Sequence, residues 1–223
     1  MSDTDIYVRG YTNLNELKEA YNNFELKKID KADDYIDAAN LRIISAGLPE
    51  LARIYVNMWH GDKRIEGGLP FTVDNNIIIR DEDISMRTII HEKIHIYQRL
   101  YPEKFAKLYA KLGMIRAYTY EQLAARLPLR NNPDNDGYIY VWQNKIILAA
   151  VYKNNAMSIS DVNMLDIHTN TAVDTVYTTL SNGDNTNIDR YQGESPNEIV
   201  ASILADLIYR NIAINPEIIA LIS

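Results

Sequence analysis

Two histidines four residues apart, His91 and His95, bracket a glutamate in the run HEKIH. On an α-helix, positions four apart lie one turn above each other on the same face, so both imidazoles point the same way. Two neutral imidazoles on one face are two ligands for a tetrahedral Zn²⁺. A glutamate beside the first of them, Glu92, can hold and deprotonate a metal-bound water. The flanking sequence suits a helix: Ile89, Ile90, Ile94 and Ile96 are apolar, no Gly or Pro occurs from Ile84 to Tyr101, and Pro102 marks a break. The plainer alternative is a chance match on an ordinary amphipathic helix. The chain has only four histidines, and two of them at this spacing favour the metal.

HEKIH resembles the HExxH signature of the zincin metallopeptidases. That resemblance implies an α+β, zincin-like fold with a small sheet beside the active-site helix, zinc as cofactor, and a peptide or protein substrate. It also implies that the strand before the helix, at Asn76–Arg80, edges the cleft and accepts substrate backbone; a plain sheet strand is the equal alternative. The metzincin extension HExxHxxGxxH fails, because Gln98 stands at the turn glycine and Tyr101 at the third histidine. The gluzincin pattern, a glutamate on a later helix, is matched by Asn197-Glu198, which lies 198 − 95 = 103 residues beyond His95. The resemblance departs from the thermolysin-like members at position 202, a serine where a bracing aspartate is expected; Asp206 stands further along. It spans the helix near Ile84–Tyr101, the preceding strand and the Ser195–Asp206 helix.

Glu198 has a second reading. Ser195-Pro196-Asn197-Glu198 has the form of a capping box, with Ser at N-cap, Pro at N1 and Glu at N3, which needs no metal. His168 is the rival third ligand. For the donor that a tetrahedral oxyanion requires, the thermolysin-like pattern points to Tyr191, with His168 and Tyr177 as alternatives, and Arg190 is a candidate partner for a substrate carboxylate.

The elements that must position these groups follow from the apolar spacing. An imperfect helical stripe runs over 14–29, opened by Asn13 with Glu16 three later. A second helix covers about 34–46 and stops at Gly47. A third starts at Pro49 and carries to Gly61, placing His60 at its C-terminus in a structural role. The stretch 71–80 reads as a hairpin or an interrupted strand around Asp74-Asn75-Asn76. Residues 103–128 read as one or two helices divided near Gly113. RNNPDNDG is a loop, and a second hairpin follows near 137–153. VDTVYTTL is a strand candidate, and a strong final helix opens at Ser195. The organisation expected is a single zincin-like domain over 1–223, with a helical N-terminal lobe (1–62) and a catalytic part (63–223) carrying the hairpin insertion.

The chain has 223 residues, 47% of them hydrophobic, enough for a sizeable core. A net charge of −7 without a basic run speaks against a nucleic-acid partner. The absence of cysteine excludes a disulfide framework and thiolate-bound zinc, leaving His, Glu and Asp as ligands. The N-terminal residues lack a basic region followed by an apolar run, and no stretch approaches 18 apolar residues, so a cytoplasmic protein without a membrane segment is expected. The 16 tyrosines read as half-buried amphipathic surface. The reading reached is a zinc-dependent peptidase, a gluzincin-type metalloprotease with Glu92 as general base. Two alternatives stand: a zinc-dependent hydrolase of a non-peptide amide or other bond, deformylase-like, and a non-catalytic partner-binding module with a structural or vestigial metal site. Oligomeric state is not readable from the sequence.

Overall fold

The computed structural model describes residues 13–20, 26–30, 32–62, 65, 68–130, 132, 134–143, 146–152, 162–164, 176–181 and 195–223. It is mixed α and β, compatible with α+β: helices form the main core and the strands form small sheets beside it.

Two helices carry the architecture. Helix α4 (Met86–Leu100) starts at Ser85, whose Oγ accepts from Thr88 N at 3.1 Å, the bond expected of a serine N-cap. It ends at Tyr101, because Pro102 cannot continue a helix but suits the first turn of the next, α5 (Pro102–Lys111). Helix α8 (Pro196–Arg210) starts at Ser195 in the same way and is buried from Pro196 to Ile208. A helix that is apolar on nearly every side is stable only with neighbours all round it. Here α8 lies along α4, with α2 (Ala32–Ser45) against both. Ile89, Ile90, Ile94 and Ile96 of α4 and Ile199, Ile203 and Leu207 of α8 belong to one apolar cluster. A further helix, α9 (Pro216–Ile222), follows α8 and packs on α5, so α8 is not the last helix, as the sequence reading had it.

The sheet beside α4 contains β1 (Asn57–His60), β2 (Phe71–Val73) and β3 (Asn76–Ile79) in the order β1-β3-β2. Strands β2 and β3 form the expected hairpin, with Asp74 at φ 52° in its turn. Alternation along β3 sends Ile77 and Ile79 into the main core, while Ile78 joins a second cluster with Leu17, Leu26, Ile65, Phe71 and Val73. Leu17 comes from α1 (Leu14–Ala20), and residues 26–29, the end of the expected stripe, are not helical. The position of β3 also corrects an expectation. It is the central strand, parallel to β1 on one side and antiparallel to β2 on the other, so it has no free edge to offer a substrate backbone.

Three further assignments change. The helix that begins at Pro49 is a single turn, α3 (Pro49–Ala52), and the chain then becomes β1, so residues 57–60 of the expected helical lobe are strand. Lys93 supplies a physical reason. Its buried ammonium donates to Ala52 O at 3.2 Å, to Ile54 O at 2.7 Å and to Asn40 Oδ1 at 2.8 Å, satisfying carbonyls at and just beyond the end of α3. After α5, Gly113 at φ +79° turns the chain into a strand, β4 (Met114–Thr119), before the short α6 (Tyr120–Ala124). Strand β4 pairs with β5 (Tyr138–Trp142), which pairs with β6 (Ile146–Leu148), so the expected hairpin is two thirds of a three-stranded sheet. Strand β7 (Ala150–Tyr152) pairs with β8 (Val162–Met164). Residues 176–180 are helical, α7, not strand. Among the described residues, no helix is long and apolar enough to cross a membrane.

Candidate metal centre

Helix α4 presents His91 and His95 toward α8, and the first turn of α8 presents Glu198 toward them. Among the described residues these three are the one group of His, Asp or Glu that could hold a metal ion, with ligand atoms all within 4.8 Å of one another. The two Nε2 atoms face each other at 2.9 Å. Glu198 Oε2 is 3.4 Å from His91 Nε2, and Oε1 is 3.5 Å from His95 Nε2. Four donors about 2.0–2.1 Å from a tetrahedral zinc stand roughly 3.3 Å from one another, and the three separations bracket that value. Helical capping and approach to the histidines coexist at Glu198. Its backbone N–H donates to Ser195 Oγ at 3.2 Å, while its carboxylate points at the two imidazoles instead of back to the N-cap.

The charges around this group favour a cation. Burial alone would raise the Glu198 carboxyl, yet the adjacent His95 and His91 hold it well below the usual carboxylate range. Burial pushes the His95 imidazole down, but Glu198 and Asp134 outweigh it and bring it up to about 10. Burial, reinforced by His95, lowers His91. A pocket that draws a proton onto a buried imidazole is one in which a divalent ion fits, since metal and proton compete for the same lone pair. Glu92 lies beside it, 2% exposed, and burial together with Asp134 pushes its carboxyl well above the ordinary value. Its Oε2 has no hydrogen-bond partner among the described residues. A buried carboxylate oxygen left unpaired costs free energy, which makes it a candidate for a working rather than a structural group.

A shell of polar side chains surrounds the donors, and the sequence reading singled out almost none of it. Gln98, noted there only for standing where a glycine was expected, accepts from His95 Nδ1–H across 2.8 Å and donates to Asn197 O at 3.0 Å. Asn132, in the loop before β5, donates to Glu198 Oε1 at 2.7 Å. Asp134, in the same loop, is buried; it accepts from Arg99 Nη1 at 3.1 Å and from Thr72 Oγ1 of β2. The one available signal was the polar density of RNNPDNDG, which reads as a loop and says nothing of where the loop docks.

The remaining candidates fall elsewhere. Among the described residues, Asp206 braces no histidine; Arg87 at 3.4 Å and Arg210 at 3.3 Å take it up. His60 ends β1, not a helix, and its Nδ1 lies 2.7 Å from Asp81 Oδ1 on the surface. Tyr177 is fully buried in the main apolar core. Tyr191, His168 and Arg190 lie outside the described residues. Compared with protein-family profiles, with curated proteins and with solved structures, the chain matches none.

Proposed function

We propose that this chain is a zinc-dependent hydrolase, with His91, His95 and Glu198 holding the metal, and that it cleaves peptide bonds. The observation that carries the reading is the meeting of those three donors beside a buried carboxylate oxygen of Glu92 that has no hydrogen-bond partner among the described residues. The peptide bond as substrate class rests on the resemblance of HEKIH to the zincin signature.

Zinc, when bound, supplies a Lewis acid that acidifies a water and polarises a carbonyl. The chain's own groups do the rest. Glu92 accepts a proton from the attacking water and returns it to the leaving amine; burial and the nearby Asp134 raise its affinity for protons. Asp134 adds negative charge nearby, while Arg99 and Thr72 hold its carboxylate in place. Tyr191 or His168 is the proposed donor to the oxyanion.

Elemental mass spectrometry on wild type, Glu92→Gln and Glu198→Ala, combined with a peptide-library digest, tests this. The expected result is about one zinc per chain in wild type and Glu92→Gln, a marked loss in Glu198→Ala, and cleavage by wild type alone. Zinc binding without peptide cleavage would move the substrate to another amide or to a different bond. Cleavage that survives Glu92→Gln would remove Glu92 from the mechanism.

A further inference from the structure

The buried side chains behind the donors form a continuous path from one ligand to another. His95 Nδ1–H donates to Gln98 Oε1 (2.8 Å), and Gln98 Nε2 donates to Asn197 O (3.0 Å). Asn197 Nδ2 donates to Asp134 O (3.0 Å), Asp134 N donates to Asn132 Oδ1 (2.9 Å), and Asn132 Nδ2 donates to Glu198 Oε1 (2.7 Å). Every residue on this path is less than a tenth exposed.

The direction of each bond is fixed by chemistry. Asn197 O and Asp134 O are carbonyls that can only accept, and Asp134 N–H can only donate. A flipped Gln98, Asn197 or Asn132 would therefore set acceptor against acceptor or donor against donor. The Gln98 oxygen must face His95, so Nδ1 must carry the hydrogen and Nε2 is left as the atom that can bind a metal. At the other end, the Asn132 amide occupies Glu198 Oε1. That bond takes one lone pair of Oε1, so Oε2, the oxygen nearer His91, is the freer one for a metal.

We infer that Gln98, Asn197 and Asn132 form an amide circuit that pre-sets two ligands of the metal centre: it holds the tautomer of His95 and biases Glu198 toward coordination through Oε2. The three are positioning residues, since none offers its own atoms to the metal. This rests on the metal reading above and adds to it how the donors are aimed before any ion arrives. It also accounts for Asn132 and Asp134 being drawn into the interior, where α8 holds both and α4 and β2 hold Asp134.

Cobalt(II) titration of metal-free protein, followed by visible absorption, tests the circuit in wild type, Gln98→Leu and Asn132→Leu, with urea midpoints as a folding control. The expected result is a wild-type protein that binds one cobalt with the strong absorption of a four-coordinate site. Each variant then binds about 10–100-fold more weakly, the range expected when the outer partner of a metal ligand is removed. The Asn132→Leu spectrum should also weaken toward that of a five-coordinate site, because Glu198 Oε1 is released to bind as well. Combining the two changes should cost less than the product of the single losses, since both open one circuit. If wild type binds cobalt and a folded variant binds it equally well with the same spectrum, the circuit is refuted and the metal reading stands. If wild type binds neither cobalt nor zinc, both fall. Should one variant fail to fold, the other decides on the same readings.

Discussion

His95 Nε2 and Glu198 Oε1 stand 3.5 Å apart, although 198 − 95 = 103 residues of chain separate them. What brings them together is the packing of α4 against α8, two helices whose facing sides are buried almost throughout. The site is therefore built where two buried helices pack together, and its donors are stacked on helix turns.

Donors that come together only in the folded chain should make metal binding visible as stability. An ion that binds only the folded chain stabilises it by RT ln(1 + [L]/Kd), about 4 kcal/mol at a thousandfold excess over Kd. Zinc should raise the melting temperature of wild type by several degrees, and a chelator should reverse the rise. In His91→Ala and His95→Ala the shift should vanish. An equal shift in all three proteins would mean that zinc acts somewhere other than at this group.

The start of α8 carries two duties, and Ser195→Ala should separate them. Loss of the bond from Glu198 N to Ser195 Oγ costs about 1 kcal/mol, the usual effect of deleting a serine N-cap. Fraying of that turn also loosens Glu198, so zinc affinity should fall several-fold while saturation still reaches one ion per chain. Urea denaturation and a zinc titration give the two numbers. Unchanged affinity at reduced stability would mean that the carboxylate is held by Asn132 and the histidines alone.

Asp134 joins Arg99 on α4 and Thr72 on β2. Asp134→Ala strands the hydroxyl of Thr72, which is 2% exposed, and deprives Arg99 of its carboxylate. Arg99 is one third exposed, so solvent screens part of the loss, and a cost of about 2 kcal/mol is expected. Arg99→Met combined with Asp134→Ala should cost less than the sum of the two, because the pair is broken only once. Additive losses in a chemical-denaturation cycle would show that the ion pair contributes nothing of its own.

Much of the local pattern was readable, because it is set within one or two helical turns. HEKIH, the Ser195 start, the break at Pro102 and the turn at Asp74 are examples. The errors fall where a distant partner decides. Residues 57–60 follow a proline-started helix in sequence, but become strand because β3 pairs with them, His60 opposite Ile79. Residues 114–119 become strand because β5 lies alongside them. Gln98 and Asn132 were missed for a related reason. An amide has neither a charge nor a ligand spacing that marks it in a sequence, and its role exists only once Asn197 and Glu198 are in place.

Lys93 offers a test of pH dependence, because it is fully buried within the helix that carries the histidines and faces away from them toward Asn40, Ala52 and Ile54. Burial lowers its pKa from the ordinary 10.5 to about 8. Between those two values the unfolded chain keeps a proton that the folded chain has lost, so the unfolding free energy must rise with pH across that window. Below pH 8 both states are protonated and the contribution is flat. The full rise is about 3 kcal/mol, since each pH unit of that window contributes about 1.4 kcal/mol. Lys93→Met lacks the titrating group, so the wild-type minus variant difference in urea stability isolates the effect at pH 7, 8, 9 and 10. That difference should be constant from pH 7 to about 8 and then grow in favour of wild type. A difference that stays constant up to pH 10 would mean that the three acceptors hold the ammonium charged against the cost of burial.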